Sequence, residues 1–340
     1  MKDMFENDHI YIIAEAGVNH NGRLDLALKL CDEAKKANAD AVKFQTWKTE
    51  KIITKNLIQA DYQSKNTGIV QSQFEMLKTL ELKYDDFVEI KRHCEIIGIE
   101  FLSTPDEEDS LDFLIELGVP LIKIGSGDIT NNPYLKYIGS KKMPIIISTG
   151  MSYLGDVERA YNILKDAGAT EIAILHCTTN YPCPFEEVNL SAMKTLQQAL
   201  KCTVGYSDHT LGIEVSVAAV AMGAKIIEKH FSLDKNMEGP DHLASLNPKE
   251  FTCLVQSIRN IEKALGNGIK EPNESEKKIS QVVRKRIVAK QAITKNDVFS
   301  EINLAAKRSD MGFDVSNWNL IIGLKAQKDY IEDEPISFSN

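Results

Sequence analysis

The sequence predicts an α/β protein, a (β/α)8 TIM barrel followed by a small, mostly β domain. Short runs of β-branched and aliphatic residues alternate with amphipathic helical segments from residue 10 onward. Eight such strand-helix units occupy about 260 residues, which is the usual size of such a barrel. A polar segment rich in turn residues then precedes short strand-like pieces. A doubly wound open sheet is the main alternative, since periodicity alone does not show whether a sheet closes.

The predicted strands are nearly continuous apolar runs, as expected for strands that are buried on both faces of a parallel sheet. Between them lie amphipathic segments such as DLALKLCDEAKKANA and DVERAYNILKDAGA, whose apolar residues recur at helical spacing. Several of these segments end at Gly or Asn, which fits helix C-capping. The eight predicted strands cover residues 10–17, 41–47, 99–105, 121–127, 144–150, 172–178, 203–208 and 225–231.

Two stretches depart from this alternation. Residues 48–84 form an insertion after the second strand, and their KTEKIITKNLIQADYQSKNTG has little periodicity, so we expect a lid or rim loop there. The polar, Gly/Pro-marked GNGIKEPNESEKKISQ predicts a domain linker. We therefore predict a barrel domain at residues 1–266, a linker at 267–282 and the small β domain at 283–340.

Composition excludes several classes of protein. The 340 residues are 43% hydrophobic and 26% charged, as in ordinary soluble globular proteins. A net charge of -9 argues against a nucleic-acid binder, although it leaves room for one small anionic substrate in a locally positive pocket. We find neither a signal peptide nor a membrane span, and the six scattered cysteines fit a reducing compartment. We therefore expect a cytoplasmic protein that does not bind membranes.

Every predicted strand ends in polar residues. Parallel strands of a barrel deliver their C-terminal ends to one face, where active sites are built. Helix or turn capping explains one such end more readily than eight, so we expect these side chains to meet in a site. In strand order they are Glu15, Asn19, His20; Lys43, Gln45, Thr46; Ser103, Thr104; Lys123, Ser126; Ser148, Thr149; His176, Thr178, Thr179; Ser207, Asp208, His209; Glu228, Lys229, His230.

Two histidines follow the last two strands. Neighbouring strands would place His209 and His230 side by side at the barrel mouth, where neutral imidazoles can bind a divalent metal and leave positions open for water or substrate. Glu228 lies two residues before His230 and so shares its strand face. The alternative is that each histidine is a hydrogen-bonded structural residue. His242 has no comparable context, although it lies in a potentially functional loop.

Two lysines, Lys43 and Lys123, interrupt apolar strands. Burial of a lysine is costly unless it is paired or binds an anion. With nearby Ser and Thr hydroxyls, the two lysines form a candidate pocket for a phosphate and a carboxylate, or else ion pairs with carboxylates inside the barrel. Glu15 is available for such pairing or as a general base. Cys177 beside His176 suggests a nucleophile. The alternative is that Cys177 is a buried, inert thiol.

These residues lie in motifs that resemble the sialic acid synthases, the N-acetylneuraminate and legionaminic acid synthase family. The resemblance extends over nearly the whole chain in order, and the C-terminal part resembles the antifreeze-like (SAF) domain of that family. The motifs are IAEAGVNHNG, AVKFQT, FLSTP, IKIGSGDITN, PIIISTGM, LHCTTNYPCP, GYSDHT, EKHF and GPDHLASLNP.

The resemblance implies roles for individual residues. It assigns His209 and His230 as metal ligands and Glu15 as the active-site carboxylate, with Mn2+ as the expected cofactor and Mg2+ or Co2+ as alternatives. It implies a homodimer, in which Arg308 of the C-terminal domain reaches the active site of the partner. The residues assigned to phosphoenolpyruvate are Lys43, Thr104, Lys123, Ser126, Ser148 and Ser207, and those assigned to the sugar are Gln45, Asp128, Tyr181, Asp241 and Arg308.

The chain departs from the family pattern in three places. Asp106 follows STP where Phe is common, and Asp128 in GSGD replaces the more usual Glu. Residues 309–311, Ser-Asp-Met, replace a Pro-Gly turn next to Arg308. The first two changes alter the rim of the site that the resemblance implies, and the third bears on the placement of Arg308.

The resemblance implies an N-acetylneuraminate synthase, which condenses phosphoenolpyruvate with N-acetylmannosamine to a nine-carbon 2-keto acid and releases phosphate. The main alternative is an N,N'-diacetyllegionaminic acid synthase acting on 2,4-diacetamido-2,4,6-trideoxymannose. Two further alternatives belong to other classes. A metal-dependent barrel hydrolase would use the same histidines to activate water, and a non-enzymatic protein would bind sugar or ice through the small β domain.

Overall fold

The computed structural model describes residues 9–59 and 72–338. Contacts within the chain separate two compact units, residues 1–266 and 267–340. Within the described residues, the first unit contains eight strands and the second contains two. The strands are β1 (Tyr11–Gly17), β2 (Ala41–Thr46), β3 (Glu100–Pro105), β4 (Ile122–Ile124), β5 (Pro144–Ser148), β6 (Glu171–His176), β7 (Thr203–Asp208), β8 (Ile226–His230), β9 (Lys285–Ala289) and β10 (Leu304–Arg308).

The eight strands of the first unit form a parallel barrel. Their ladder runs β3-β2-β1-β8-β7-β6-β5-β4, and β3 packs against β4 where its two ends meet. Each observed strand overlaps the segment that the sequence predicts for it. The predicted (β/α)8 fold is therefore confirmed over the open-sheet alternative.

Helices follow the strands and cover the outside of the barrel. Three of them, Tyr84–Ile97, Glu108–Leu117 and Leu154–Ala167, end at Gly98, Gly118 and Gly168, whose left-handed backbone fits the predicted C-caps. Among the described residues, no helix combines the length and the apolar character needed to cross a membrane. The helices are α1 (Leu24–Lys36), α2 (Thr49–Ile52), α3 (Gln73–Leu80), α4 (Tyr84–Ile97), α5 (Glu108–Leu117), α6 (Asn132–Ser140), α7 (Leu154–Ala167), α8 (Ala192–Leu200), α9 (Glu214–Ala221), α10 (Pro248–Leu265), α11 (Glu274–Val283) and α12 (Trp318–Ile321).

The barrel has two apolar layers because successive side chains of a strand point to opposite faces. Outward-facing residues such as Ile12, Val42 and Ile147 pack against the helices and form the larger core. Inward-facing residues fill the barrel itself below the polar strand ends. This inner layer consists of Ile13, Ala41, Leu102, Leu121, Ile146, Ala173, Leu175 and Ile226. The middle of the barrel is therefore packed with apolar side chains, and polar side chains lie beyond it at the C-terminal ends of the strands.

The insertion after β2 contains α2 and α3. Met76 and Leu80 of α3 pack with Val18 and Trp47, which attaches this segment to the barrel mouth. Ser72 caps α3, since its hydroxyl accepts a hydrogen bond from the amide of Glu75. The predicted lid or rim loop also includes residues 60–71, which lie outside the described residues.

The second unit is mostly β in its last part, with its own core. Strands β9 and β10 pair antiparallel, and isolated bridges join further short segments. Its core includes Ile287, Phe299 and Tyr330, all buried. The predicted linker is not wholly irregular, because α11 begins within it. Asn273 and Glu276 form a capping box at its first turn, a local pattern that outweighs the polar composition.

Candidate active site

The site is a cavity of ≈ 190 Å³ at the C-terminal ends of the barrel strands. Eleven of the fourteen residues that the resemblance assigns to the site line it, and Asp128, Asp241 and Arg308 do not. A larger cavity of ≈ 740 Å³ adjoins it and shares Met151, Cys177 and Thr179 with it. The eleven residues are Glu15, Lys43, Gln45, Thr104, Lys123, Ser126, Ser148, Tyr181, Ser207, His209 and His230.

Strand alternation decides which polar strand ends reach the cavity. Ser207 and His209 point into the barrel, whereas Asp208 between them points outward and bonds to Ser216 of α9. The same separation occurs on β8, where Lys229 pairs with Asp208 outside the cavity. Polar strand ends therefore belong to two sets, one that lines the cavity and one that holds the strands to the helices.

Lys43 lies at the centre of the cavity floor and is almost completely buried. Its Nζ lies 2.5 Å from Glu15 Oε2 and 3.7 Å from Glu228 Oε2, and it donates a hydrogen bond of 3.1 Å to Thr104 Oγ1. Gln45 Nε2 in turn donates to Glu15 Oε1 at 3.4 Å. Residues from β1, β2, β3 and β8 thus converge on one ammonium group.

Lys123 occupies the opposite side of the same floor. Its Nζ donates a hydrogen bond of 2.8 Å to Ser148 Oγ and lies 3.4 Å from Glu228 Oε1. The Ser207 hydroxyl also donates to Glu228 Oε1, at 3.0 Å. Glu228 therefore bridges the two lysines, so the structure contains the ion pairs that were one interpretation of Lys43 and Lys123. Their role in anion binding stays a prediction.

Burial controls the protonation of this cluster. It raises the pKa of Glu15 above its ordinary value, and the neighbouring Glu228 adds to this shift, while Lys43 offsets part of it. Although burial also disfavours a charge on Glu228, the two lysines and Ser207 outweigh it and lower the pKa of Glu228 to about 2. Two carboxylates that share one lysine thus differ in basicity, and Glu15 is the one suited to accept a proton.

His209 and His230 lie side by side, with ring centroids 5.3 Å apart, as the sequence predicts for adjacent strand ends. His209 Nδ1 bonds to the carbonyl oxygen of Thr178 at 2.6 Å, and no hydrogen-bond partner among the described residues reaches His230 Nδ1. Burial lowers the pKa of His209 to about 4 and lowers that of His230 as well. Both imidazoles are therefore neutral near pH 7, which is the form that binds metals.

The histidine pair is suited to supply two of the ligands of a divalent cation. A ligating histidine often donates its second ring N–H to a carbonyl, as His209 is placed to do with Thr178. Within residues 9–59 and 72–338, however, no three His, Cys, Asp or Glu side chains are grouped so that they could hold a metal. Two imidazoles would thus bind a cation whose remaining ligands come from water or substrate.

The residues that the resemblance assigns to the sugar occupy different positions. The Tyr181 ring lies 4.1 Å from the ring of His209 and 5.4 Å from that of His230, measured between centroids. Asp241 is buried, and its Oδ2 lies 3.9 Å from His230 Nδ1. Asp128 is the last residue of a short 3-10 helix and does not line the cavity. Its carboxylate accepts a hydrogen bond from Asn131. Tyr181 and Asp241 thus both lie next to the histidine pair, Tyr181 against both rings and Asp241 near His230.

Arg308 belongs to the second unit. It is the last residue of β10, where it pairs in register with Lys285 of β9, and its side chain is exposed. Its assignment to the active site of a partner subunit stays a prediction.

Cys177 lines the cavity, but its surroundings do not favour a nucleophile. Burial raises the pKa of its thiol, and its Sγ lies 3.2 Å from the Ser126 hydroxyl. Ser126 Oγ also accepts a hydrogen bond from the amide of Gly150 at 3.0 Å. The thiol therefore stays protonated, which favours the inert interpretation.

Seven of the residues that line the cavity have no role assigned by the resemblance, and two of these, Glu228 and Asp106, carry carboxylates. Glu228 carries the central ion pairs, and its spacing of two from His230 already placed it on the inward face. Asp106 lines the rim, and burial together with Asp128 raises its pKa to about 8. It lies two residues after Thr104, so strand alternation continues past Pro105 and directs both side chains into the cavity.

Comparison with known proteins agrees with this architecture. Residues 30–270 match the model of the NeuB family, and residues 284–340 match the SAF domain. The chain belongs to the NeuB family. It is 51% identical to N,N'-diacetyllegionaminic acid synthase of Campylobacter jejuni over 96% of this chain and 98% of that protein. The corresponding enzyme of Legionella pneumophila is 47% identical over 92% of this chain and 89% of that protein.

A solved structure of a NeuB relative supports the same conclusion. The N-acetylneuraminic acid synthetase of Leptospira borgpetersenii is 36% identical, with a TM-score of 0.72 over 80% of this chain and 90% of that chain. The resemblance to sialic acid synthases is thereby confirmed, as is the C-terminal SAF domain. The chain is an enzyme of the type that forms a carbon–carbon bond from phosphoenolpyruvate and a sugar.

Proposed function

We propose that this chain is an N,N'-diacetyllegionaminic acid synthase. The observation that supports this choice is the higher identity to the two legionaminic acid synthases than to the N-acetylneuraminic acid synthetase. Our sequence-based choice of N-acetylmannosamine as the substrate thus gives way to its alternative, 2,4-diacetamido-2,4,6-trideoxymannose. The larger cavity, which shares Met151, Cys177 and Thr179 with the site, is consistent with a bulkier sugar.

The proposed reaction joins two substrates and consumes one water. Carbon 3 of phosphoenolpyruvate forms a bond to the aldehyde carbon of the open-chain sugar, and the aldehyde oxygen takes up a proton. Water adds at carbon 2 and loses a proton, and inorganic phosphate then leaves. The product is a nine-carbon 2-keto acid. Holding both substrates in the reacting geometry lowers the activation free energy by roughly 7–11 kcal/mol.

The lysine pair is the part of the site suited to phosphoenolpyruvate. Lys43 and Lys123 are both buried, and Thr104 and Ser148 beside them carry hydroxyls that can bond to phosphate or carboxylate oxygens. Without substrate, Glu15 and Glu228 balance the two positive charges. A multiply charged anion bound here would take over the role of counter-charge to the two lysines.

The histidine pair is the part suited to the sugar aldehyde. When bound by His209 and His230, a divalent cation such as Mn2+ supplies Lewis-acid polarisation of the aldehyde oxygen. Tyr181 packs against both imidazoles and limits the approach to them. Glu15 is placed between the histidine strand β8 and Lys43, where its carboxylate can accept the proton of the attacking water.

The test is a direct assay with two sugars. Purified protein is incubated with Mn2+, phosphoenolpyruvate and either 2,4-diacetamido-2,4,6-trideoxymannose or N-acetylmannosamine, and phosphate and 2-keto acid are measured. We expect equal amounts of both products and a higher kcat/KM for the diacetamido sugar. A higher kcat/KM for N-acetylmannosamine would identify an N-acetylneuraminate synthase. Phosphate release that does not require a sugar would instead indicate hydrolysis.

A further inference from the structure

A buried hydrogen-bonded contact joins the loop after β1 to the loop after β8. His242 is fully buried, and its two ring nitrogens lie 3.1 Å from Asn21 Oδ1 and 2.6 Å from Ser232 Oγ. Burial lowers the pKa of His242 to about 4, so the ring is neutral and carries a single proton. Nε2–H donates it to Asn21, and Nδ1 accepts from Ser232. The Asn21 side chain in turn donates to the carbonyl oxygen of Glu238 at 2.9 Å.

A second set of hydrogen bonds, made by the side chain of Asn19, joins the same two loops. The Asn19 side-chain amide donates to the carbonyl oxygen of Phe231 at 2.8 Å and to Ser245 Oγ at 2.9 Å. Ser245 Oγ donates to the backbone carbonyl of Asp241 at 2.7 Å. The backbone of Asp241 is therefore held on one side through Ser245, and on the other through the neighbouring His242.

Gly239 shows how closely these groups pack. A Cβ at this position would lie 2.5 Å from His242 Cδ2 and 3.0 Å from Asn21 Oδ1. Both distances are shorter than van der Waals contact, so any side chain here would separate the Asn21–His242 pair. The close approach indicates that the loop after β8 depends on this contact for its position.

We propose that Asn21 and His242 are positioning residues that fix Asp241 against the histidine pair and so determine how tightly the sugar binds. Neither residue lines the cavity, whereas Asp241 is buried with its Oδ2 3.9 Å from His230 Nδ1. The contact spans 221 residues of sequence, so it sets the distance between two loops that share no local structure. This inference relies on the proposed function, which gives Asp241 its role at the sugar.

Steady-state kinetics of Asn21→Ala, His242→Ala and His242→Gln test the proposal, with Asp241→Ala as reference. We expect the two alanine variants to raise the KM for the sugar about tenfold, roughly what loss of a buried hydrogen bond produces. The KM for phosphoenolpyruvate changes less than about twofold, because the lysine pair is untouched. His242→Gln retains a terminal N–H donor and restores most of the sugar affinity. His93→Ala is the matched control, since His93 pairs with Asp32 on the outer helices.

Coupling to Asp241 separates positioning from a general effect on folding. If Asn21 and His242 act through Asp241, adding either alanine variant to Asp241→Ala raises the sugar KM no further. Additive effects, or equal rises in both KM values, would overturn the proposal.

Amide hydrogen exchange gives a readout that does not need turnover. We expect faster exchange of the segment 239–246 in His242→Ala than in wild type or His93→Ala. Unchanged exchange there would also overturn the proposal. A wild-type protein that makes no 2-keto acid would refute the proposed function, and this measurement would still decide whether the contact fixes the loop.

Discussion

Asp208 and Lys229 form a fully buried ion pair directly beside the two histidines of the site. Asp208 Oδ2 lies 2.9 Å from Lys229 Nζ, and neither side chain is exposed. Each residue immediately precedes one histidine, so the pair links β7 and β8 at the point where His209 and His230 enter the cavity. Asp208 also accepts hydrogen bonds from Thr210 and Ser216. The pair thus lies outside the cavity and sets the spacing of the residues inside it.

Breaking this pair from one side is expected to be costly. Asp208→Asn leaves the Lys229 ammonium buried without a counter-charge, which costs about 3–5 kcal/mol of unfolding free energy. The double variant Asp208→Asn/Lys229→Met removes both charges and recovers most of this loss. Denaturant unfolding of the three proteins measures both effects. A single variant as stable as wild type would show that water or another group compensates Lys229.

The raised pKa of Glu15 predicts a pH dependence of turnover. The carboxylate must be ionised to accept a proton, so kcat/KM rises with pH through the pKa of Glu15. Because burial raises that pKa, the rise occurs at higher pH than about 4.3, the value for an exposed glutamate. Glu15→Gln is expected to lower kcat by about 100-fold or more and to abolish this limb of the profile. Glu50→Gln, on the exposed face of α2, is the control.

Titration of a group other than Glu15 would also make kcat/KM rise with pH. A profile for Glu15→Gln that is lower but keeps the same rising limb would assign the titration elsewhere. Glu15 would then contribute through its ion pair with Lys43 alone.

The histidine pair predicts a metal requirement that can be measured without turnover. We expect chelation to abolish 2-keto acid formation and added Mn2+ to restore it. Isothermal titration should detect one Mn2+ per chain in wild type and His93→Ala, and at least about tenfold weaker binding in His209→Ala and His230→Ala. Equal Mn2+ affinity in wild type and both site variants would rule out ligation by this pair.

Periodicity together with the number of strand-helix units predicted the barrel, and the polar strand ends predicted most of the cavity. Lys43 and Lys123 stood out because lysine is rare in apolar strands, and the histidines stood out because they end adjacent strands. The sequence could not choose between ion pairs and an anion pocket, since Glu228 meets both lysines only once the barrel closes. Local patterns report the direction of a side chain along a strand, but not its partner on another strand.

Two other features show what local sequence patterns can and cannot predict. The start of α11 could have been predicted, because Asn273 and Glu276 stand at capping-box spacing, although composition suggested only a linker. The contact between Asn21 and His242 could not, because the residues are 221 positions apart in irregular loops. Loop-to-loop contacts leave no periodic signal, and the position of Asp241 beside His230 could not be predicted for the same reason.

Asp106 predicts that stability falls as the pH rises. In the folded protein it holds its proton to a pH of about 8, because burial and Asp128 raise its pKa, whereas the unfolded chain loses it near about 3.9. Between these values the folded state binds more protons, so the free energy of unfolding decreases with pH. Asp106→Asn removes this decrease, and its advantage in Tm over wild type should be larger at pH 9 than at pH 5. Parallel Tm profiles for the two proteins would contradict the shift.

Arg308 provides a test of the subunit arrangement that the family resemblance implies. If Arg308 acts in the partner's site, a dimer of one Glu15→Gln chain and one Arg308→Ala chain contains one site with both residues intact. Mixing the two inactive variants under conditions that exchange subunits should then restore about a quarter of wild-type activity, since half of the dimers are mixed and each has one working site. Lys307→Ala, one residue away and paired with Asp333, should remain active by itself. No recovery after verified exchange would place Arg308 in the site of its own chain, because the mixed dimers would then contain no complete site. An Arg308→Ala protein that is active by itself would place Arg308 outside catalysis.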